Sequence, residues 1–155
     1  MPTDKLSLQS GFAWKCYGCG RCSQTGLHAE TVRTDEGYVC EWLTQEDHVA
    51  HPGKYHHGLI TTICFCHGAW AATAQCHEEE GRVLAEPLDY FFVNRKISYE
   101  ILRPIPLKSV ARILAKVSLT SGTDAEVDFE VRVEGELCAV ARTALSRVNA
   151  EDMAF

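Results

Sequence analysis

The groups in this sequence best suited to chemistry are imidazoles and thiols. Four of the seven histidines, His48, His51, His56 and His57, stand close together in one short stretch. An imidazole titrates near neutral pH and is the commonest general base. A group of them can also close around zinc when the geometry allows. Cys16, Cys19 and Cys22 form a C-x-x-C-x-x-C run that could begin a zinc site, which needs four ligands. A second pair is missing. Cys64, Cys66 and His67 fall in an apolar helical stretch, and Cys40, Cys76 and Cys138 are isolated. The reading therefore expects no metal and no cofactor, but a loop whose small thiols pack under a sheet. Cys66 and His67 are sequence neighbours, about 100° apart on a helix, so they make no ready nucleophile–base pair.

These groups must be positioned by elements that the residue pattern defines. Residues 16–26 are rich in glycine, cysteine and turn formers and read as a loop, within an irregular segment over 1–26. Residues 27–34 and 38–43 alternate weakly around Asp35-Glu36-Gly37 and read as a hairpin. Residues 46–57, with Pro52-Gly53, form a further loop. Residues 58–76 carry small and apolar side chains on nearly all faces, which predicts a helix buried all round. Strands are predicted at 93–103, 109–120, 123–134 and 137–148. Of these, 123–134 alternates strictly: Val127, Phe129, Val131 and Val133 face one way, Glu126, Asp128, Glu130 and Arg132 the other. Strands around one long helix indicate an α+β fold with an antiparallel sheet.

Composition narrows the class. At 155 residues one domain over 1–155 is expected. The formal charge is -6 without a basic block, which argues against nucleic acid. The apolar-rich stretch 59–76 contains Thr61, Thr62, His67, Thr73 and Gln75, too many polar groups for a membrane span. The first ten residues lack the pattern of a secretory signal, and eight cysteines then suggest reduced thiols in a cytoplasm.

Four segments in register resemble PaaI-like acyl-CoA thioesterases of the hotdog fold. His48 to Gly58 (HVAHPGKYHHG) looks like their H-Q-G-Y-P-G-x-V-H-G-G, and Leu59 to Gly68 (LITTICFCHG) like the helix that follows. Cys16-Tyr17-Gly18-Cys19-Gly20 with Gly26-Leu27 resembles their C-x-x-C-G…G-L, and Ile101 to Leu107 their F-L-R-P-x-P-L. The resemblance implies one long buried central helix wrapped by an antiparallel sheet, in a homodimer or homotetramer whose sites lie between subunits. It implies an acyl-CoA or other acyl-thioester substrate whose carbonyl meets the backbone N–H groups of His57, Gly58 and Leu59.

Two positions depart from the family. Phe65 stands where the family has its helical Asp, and Val49 where it has a loop Gln or Asn. A histidine, His57, has replaced the middle glycine of the triplet. The resemblance then implies hydrolysis with His57 as base, His56 holding the loop, and Asn94, where the family often has Thr or Ser, on the thioester or a water. Val49, Thr62, Phe65, Cys66 and Trp70 would line the pocket, with Trp70 the best acyl contact. His67-Gly68 would pack where two subunits approach. Dehydration or isomerisation of an acyl thioester, and acyl-CoA binding without chemistry, are the alternatives.

Overall fold

The computed structural model describes residues 6–153, so the first residues of the expected irregular segment lie outside the described part. After a short 3-10 turn at Leu8–Gly11 come β1 (Val32–Thr34), β2 (Gly37–Leu43), β3 (Val49–Ala50) and β4 (Lys54–Tyr55). The helix α1 (His57–Glu79) follows, then β5 (Tyr90–Ile101), β6 (Val110–Leu119), β7 (Asp124–Val133) and β8 (Glu136–Asn149). Six strands form one antiparallel sheet in the order β1-β2-β6-β7-β8-β5; β3 and β4 pair separately in the loop before α1.

The sheet forms as the alternation dictates. Val127, Phe129, Val131 and Val133 are buried against the helix, and Glu126, Asp128 and Glu130 face outward. Between β7 and β8 the chain reverses on two residues, Glu134 and Gly135, both with positive φ (51° and 81°). That is the backbone a two-residue hairpin needs to match strand twist.

α1 presents Ile60, Ile63, Cys64 and His67 to the sheet, all within 1% of full burial. Truncating one such core residue typically costs about 2–5 kcal/mol. At Gly68 a β-carbon would lie 2.8 Å from the Phe129 ring, so the helix sits as close to the sheet as a bare backbone permits. His67 and Gly68 thus pack inside this chain, a correction to their expected place between subunits.

The helix is not buried all round by the sheet. Thr62, Phe65 and Cys66 are only half-buried on its other side. Cover there comes from the N-terminal segment, where Phe12 packs edge-on and Trp14 tilted against Trp70 at ring-centroid distances of 4.8 and 5.1 Å.

The expected strand over 27–34 shortens to β1. The Leu27 and Ala29 amides donate instead to Tyr17 O and Gly18 O of the cysteine loop. β5 begins at Tyr90, earlier than expected, and carries a bulge: Asn94 pairs with Leu145 and Lys96 with Ala144, leaving Arg95 without a register partner.

Candidate functional site at the start of the central helix

His56 is the N-cap of α1. Its Nδ1 accepts from Gly58 N–H at 3.0 Å, and its carbonyl accepts from Leu59 N–H at 3.0 Å. Its own amide donates to His48 O at 3.0 Å, tying the preceding loop to the helix. The imidazole folds so closely over Gly58 that a β-carbon there would lie 2.7 Å from the ring. Of the three amides expected to receive a thioester oxygen, those of Gly58 and Leu59 therefore already have acceptors in His56.

His57 occupies the first helical position and its ring reaches β5. Nδ1 lies 2.7 Å from the Tyr99 hydroxyl and Nε2 3.2 Å from Arg103 O. A carbonyl can only accept, so Nε2 carries the proton and Nδ1 takes the Tyr99 O–H. Burial lowers the pKa of His57, with repulsion from His56 adding to it, against the opposing pull of the Arg103 carbonyl. Burial also pushes the Tyr99 phenol up, so it is a neutral donor. Tyr99 is absent from the sequence-derived site. It faces inward because of the bulge at Arg95.

Asn94 does not join this group. Its Nδ2 donates to Phe65 O at 2.9 Å, and its Oδ1 is buried without a partner. Phe65 lies two turns into α1, about 12 Å along the axis from His57 at 1.5 Å per residue. Within one chain His56 and His57 are adjacent, and Asn94 serves a different stretch of the helix.

Among the expected lining residues, Val49 is half-exposed on β3 and Leu59 half-buried at the helix start. Thr62 turns its hydroxyl back to Gly58 O at 3.2 Å. Trp70 is 1% exposed, enclosed by Phe12, Trp14 and Phe91, and its indole N–H points at Cys19 Sγ at 3.3 Å. In this chain Trp70 is a core residue of the N-terminal cover. The expectation that it meets an acyl chain has no open surface behind it here.

Cys66 faces the N-terminal loop. Its Sγ is 3.6 Å from Cys16 Sγ, and the sulfurs of Cys16, Cys19 and Cys66 all lie within 4.8 Å of one another. Contacts with Cys19 and then Cys66 draw the exposed Cys16 thiol down; the contact with Cys16 raises Cys19, and contacts with Cys16 and then Cys19 raise Cys66. Sequence spacing alone had left this run without its remaining ligands.

No protein-family model matches this chain, and no curated protein matches it in sequence. Its architecture, one helix wrapped by a six-stranded antiparallel sheet, is the hotdog fold. Solved structures of that fold match it with full probability. The PaaI protein of the E. coli phenylacetic acid degradation operon superposes with a TM-score of 0.65 at 17% identity, covering 83% of this chain and 84% of that one. A thioesterase from Haemophilus influenzae gives 0.65 at 19% identity over 92% and 99%. A Streptococcus mutans protein bound to acetyl CoA gives 0.63 at 15% identity over 78% and 89%. Among the described residues no helix is long and apolar enough to cross a membrane.

Proposed function

We propose that this chain binds an acyl thioester of the acyl-CoA class at the start of α1 and hydrolyses it. The observation that carries the proposal is the Arg103 O–His57–Tyr99 chain, a neutral imidazole fixed beside a helix N-terminus with a phenol on its free lone pair. Solved neighbours of this fold support the ligand class, since one holds acetyl CoA and a Streptococcus pneumoniae hypothetical thioesterase holds coenzyme A.

The chemistry follows from the hydrogen bonds. The thioester carbonyl displaces the His56 imidazole from Gly58 N–H and is held by the first amides of the helix, where charge developing on oxygen is stabilised. A water gives its proton to Tyr99 Oη as Tyr99 passes its own to His57 Nδ1. The water oxygen bonds to the carbonyl carbon. Collapse of the oxyanion breaks the C–S bond, and the proton returns through Tyr99 to the leaving thiolate. The products are a carboxylic acid and a thiol, with no net change in the enzyme. Phe65 contributes no carboxylate, so the histidine–tyrosine pair stands in for it.

The assembly is part of the reading. β5 is twelve residues long and lies at the sheet edge, with Val93 and Ile101 exposed at 37% and 60%. Two copies joined along β5, as a dimer or within a tetramer, cover that edge and complete the pocket beside His57.

Free-thiol release from a panel of acyl-CoA substrates tests the function. Release well above the uncatalysed rate is expected. No release, with acyl-CoA still raising the melting temperature, leaves binding alone. Loss of water from the acyl group replaces hydrolysis by dehydration.

A further inference from the structure

The best-formed chemical cluster outside the helix entrance is the set of three thiols, and it draws on two distant parts of the chain. The loop that carries Cys16 and Cys19 is wound around Cys66. At Gly18 a β-carbon would fall 2.4 Å from Cys66 Sγ, and at Gly20 one would fall 2.3 Å from Cys16 N. Both glycines are needed for this approach. The turn is pinned by Gly20 N–H to Cys16 O at 2.8 Å and Cys22 N–H to Trp14 O at 2.9 Å. It is fastened to the following segment by Leu27 N–H to Tyr17 O at 2.7 Å and Ala29 N–H to Gly18 O at 2.9 Å.

A donor meets this cluster. The Trp70 indole N–H donates to Cys19 Sγ at 3.3 Å, and Cys16 Sγ lies against Cys66 Sγ at 3.6 Å. Hydrogen bonds of this kind orient and stabilise thiolate ligands. Packing alone does not explain the arrangement, because Cys16 is exposed and fills no core.

We infer that Cys16, Cys19 and Cys66 form a three-thiolate site for a zinc-class divalent metal, fastening the N-terminal segment to α1. In tetrahedral zinc thiolates an S–Zn bond of about 2.3 Å places sulfurs about 3.8 Å apart, and Cys16 and Cys66 stand at 3.6 Å. A disulfide would use two of the three sulfurs and strand the third, whereas a metal takes all three. The fourth position faces the exposed Cys16 side and takes an external ligand. A C-x-x-C turn followed by a single cysteine on a helix is a donor set for soft or borderline metals, not for calcium or magnesium.

The test uses the full chain, reduced and stripped of metal. Titration with Co²⁺ under anaerobic conditions should give a thiolate-to-cobalt charge-transfer band that saturates at one equivalent per chain. Zn²⁺ should displace the cobalt and raise the melting temperature. Cys16→Ser, at an exposed position that keeps the fold by circular dichroism, should lose the band and the thermal shift. Cys138→Ser, remote from the cluster, should keep both. No charge-transfer band while the thiols titrate as free overturns the inference. So does equal cobalt uptake by Cys16→Ser, or oxidation to a Cys16–Cys66 disulfide in protein that takes up no metal when reduced.

Discussion

The Nδ1 of His57, at the first position of α1, accepts the hydroxyl of Tyr99 from the edge strand β5 at 2.7 Å. This bond decides how His57 can act. With Nε2–H on a backbone carbonyl, no lone pair of the ring is open to water, so any proton must pass through the phenol. Tyr99→Phe removes that passage and leaves the ring in place. Thiol release should fall by about two to four powers of ten, as much as for His57→Gly. The double variant should be scarcely slower than either single one, because the two residues act as one unit. Steady-state rates of the three variants check this, and an active Tyr99→Phe enzyme would end the relay.

The pH dependence has a definite sign. His57 works as a neutral base, and burial holds its pKa below the ordinary histidine value of 6.5. The acidic limb of thiol release should therefore have its midpoint below pH 6.5. A kcat/KM profile with its acidic limb at or above pH 6.5 would contradict the burial of this ring.

His56 has a different task. Its imidazole caps the helix through Gly58 N–H, and losing an N-cap costs about 1 kcal/mol. His56→Ala should lower stability by about that amount in urea denaturation. It should also retain acyl-CoA binding, because the amide it covers becomes free for the thioester carbonyl. Loss of ligand-induced thermal stabilisation in a folded His56→Ala protein would show that the cap is not displaced by substrate.

His67 links stability to acidity. Its Nε2 donates to Tyr38 O and Ile113 O at 3.2 and 3.1 Å, its Nδ1 meets the Thr31 hydroxyl at 2.8 Å, and burial lowers its pKa to about 4. The unfolded chain binds this proton from about pH 6.5 downward and the folded chain does not. The stabilisation is complete above pH 6.5 and is lost as pH falls from 6.5 toward 4, by about 3 kcal/mol in all. Urea midpoints across that window should decline, and His67→Gln should flatten the decline.

The fold was legible where local pattern and final environment agree. The strict alternation of 126–134 became the half-solvated β7, and the apolar run of 58–76 became α1, one residue longer at its start and three at its end. Residues 27–31 did not pair as a strand, because the Leu27 and Ala29 amides found carbonyls in a loop about ten residues earlier and the Thr31 amide found the Gln9 side chain. The site was less legible for the same kind of reason. Nothing in the sequence marks the bulge at Arg95. Continued alternation from Asn94 would send Lys96, Ser98 and Glu100 inward, whereas the extra residue brings Ile97 and Tyr99 there instead. Cys66 reaches Cys16 across fifty positions of chain, a tertiary contact that ligand spacing within one loop cannot announce.

One buried feature ties the chain's beginning to its middle. Gln9 Oε1 accepts the Thr31 amide at 2.9 Å, its Nε2 reaches the Thr31 hydroxyl at 3.3 Å, and that hydroxyl meets His67. Gln9 and Thr31 are almost wholly withdrawn from water, at 2% and 1% exposure. Peeling residues 7–11 away would strip the buried Thr31 amide of its acceptor and take one donor from the Thr31 hydroxyl. Residues 7–11 are therefore held to the core and do not open on their own. The Thr31 amide proton should therefore exchange with solvent slowly, as residues 7–31 open together with the helix they cover.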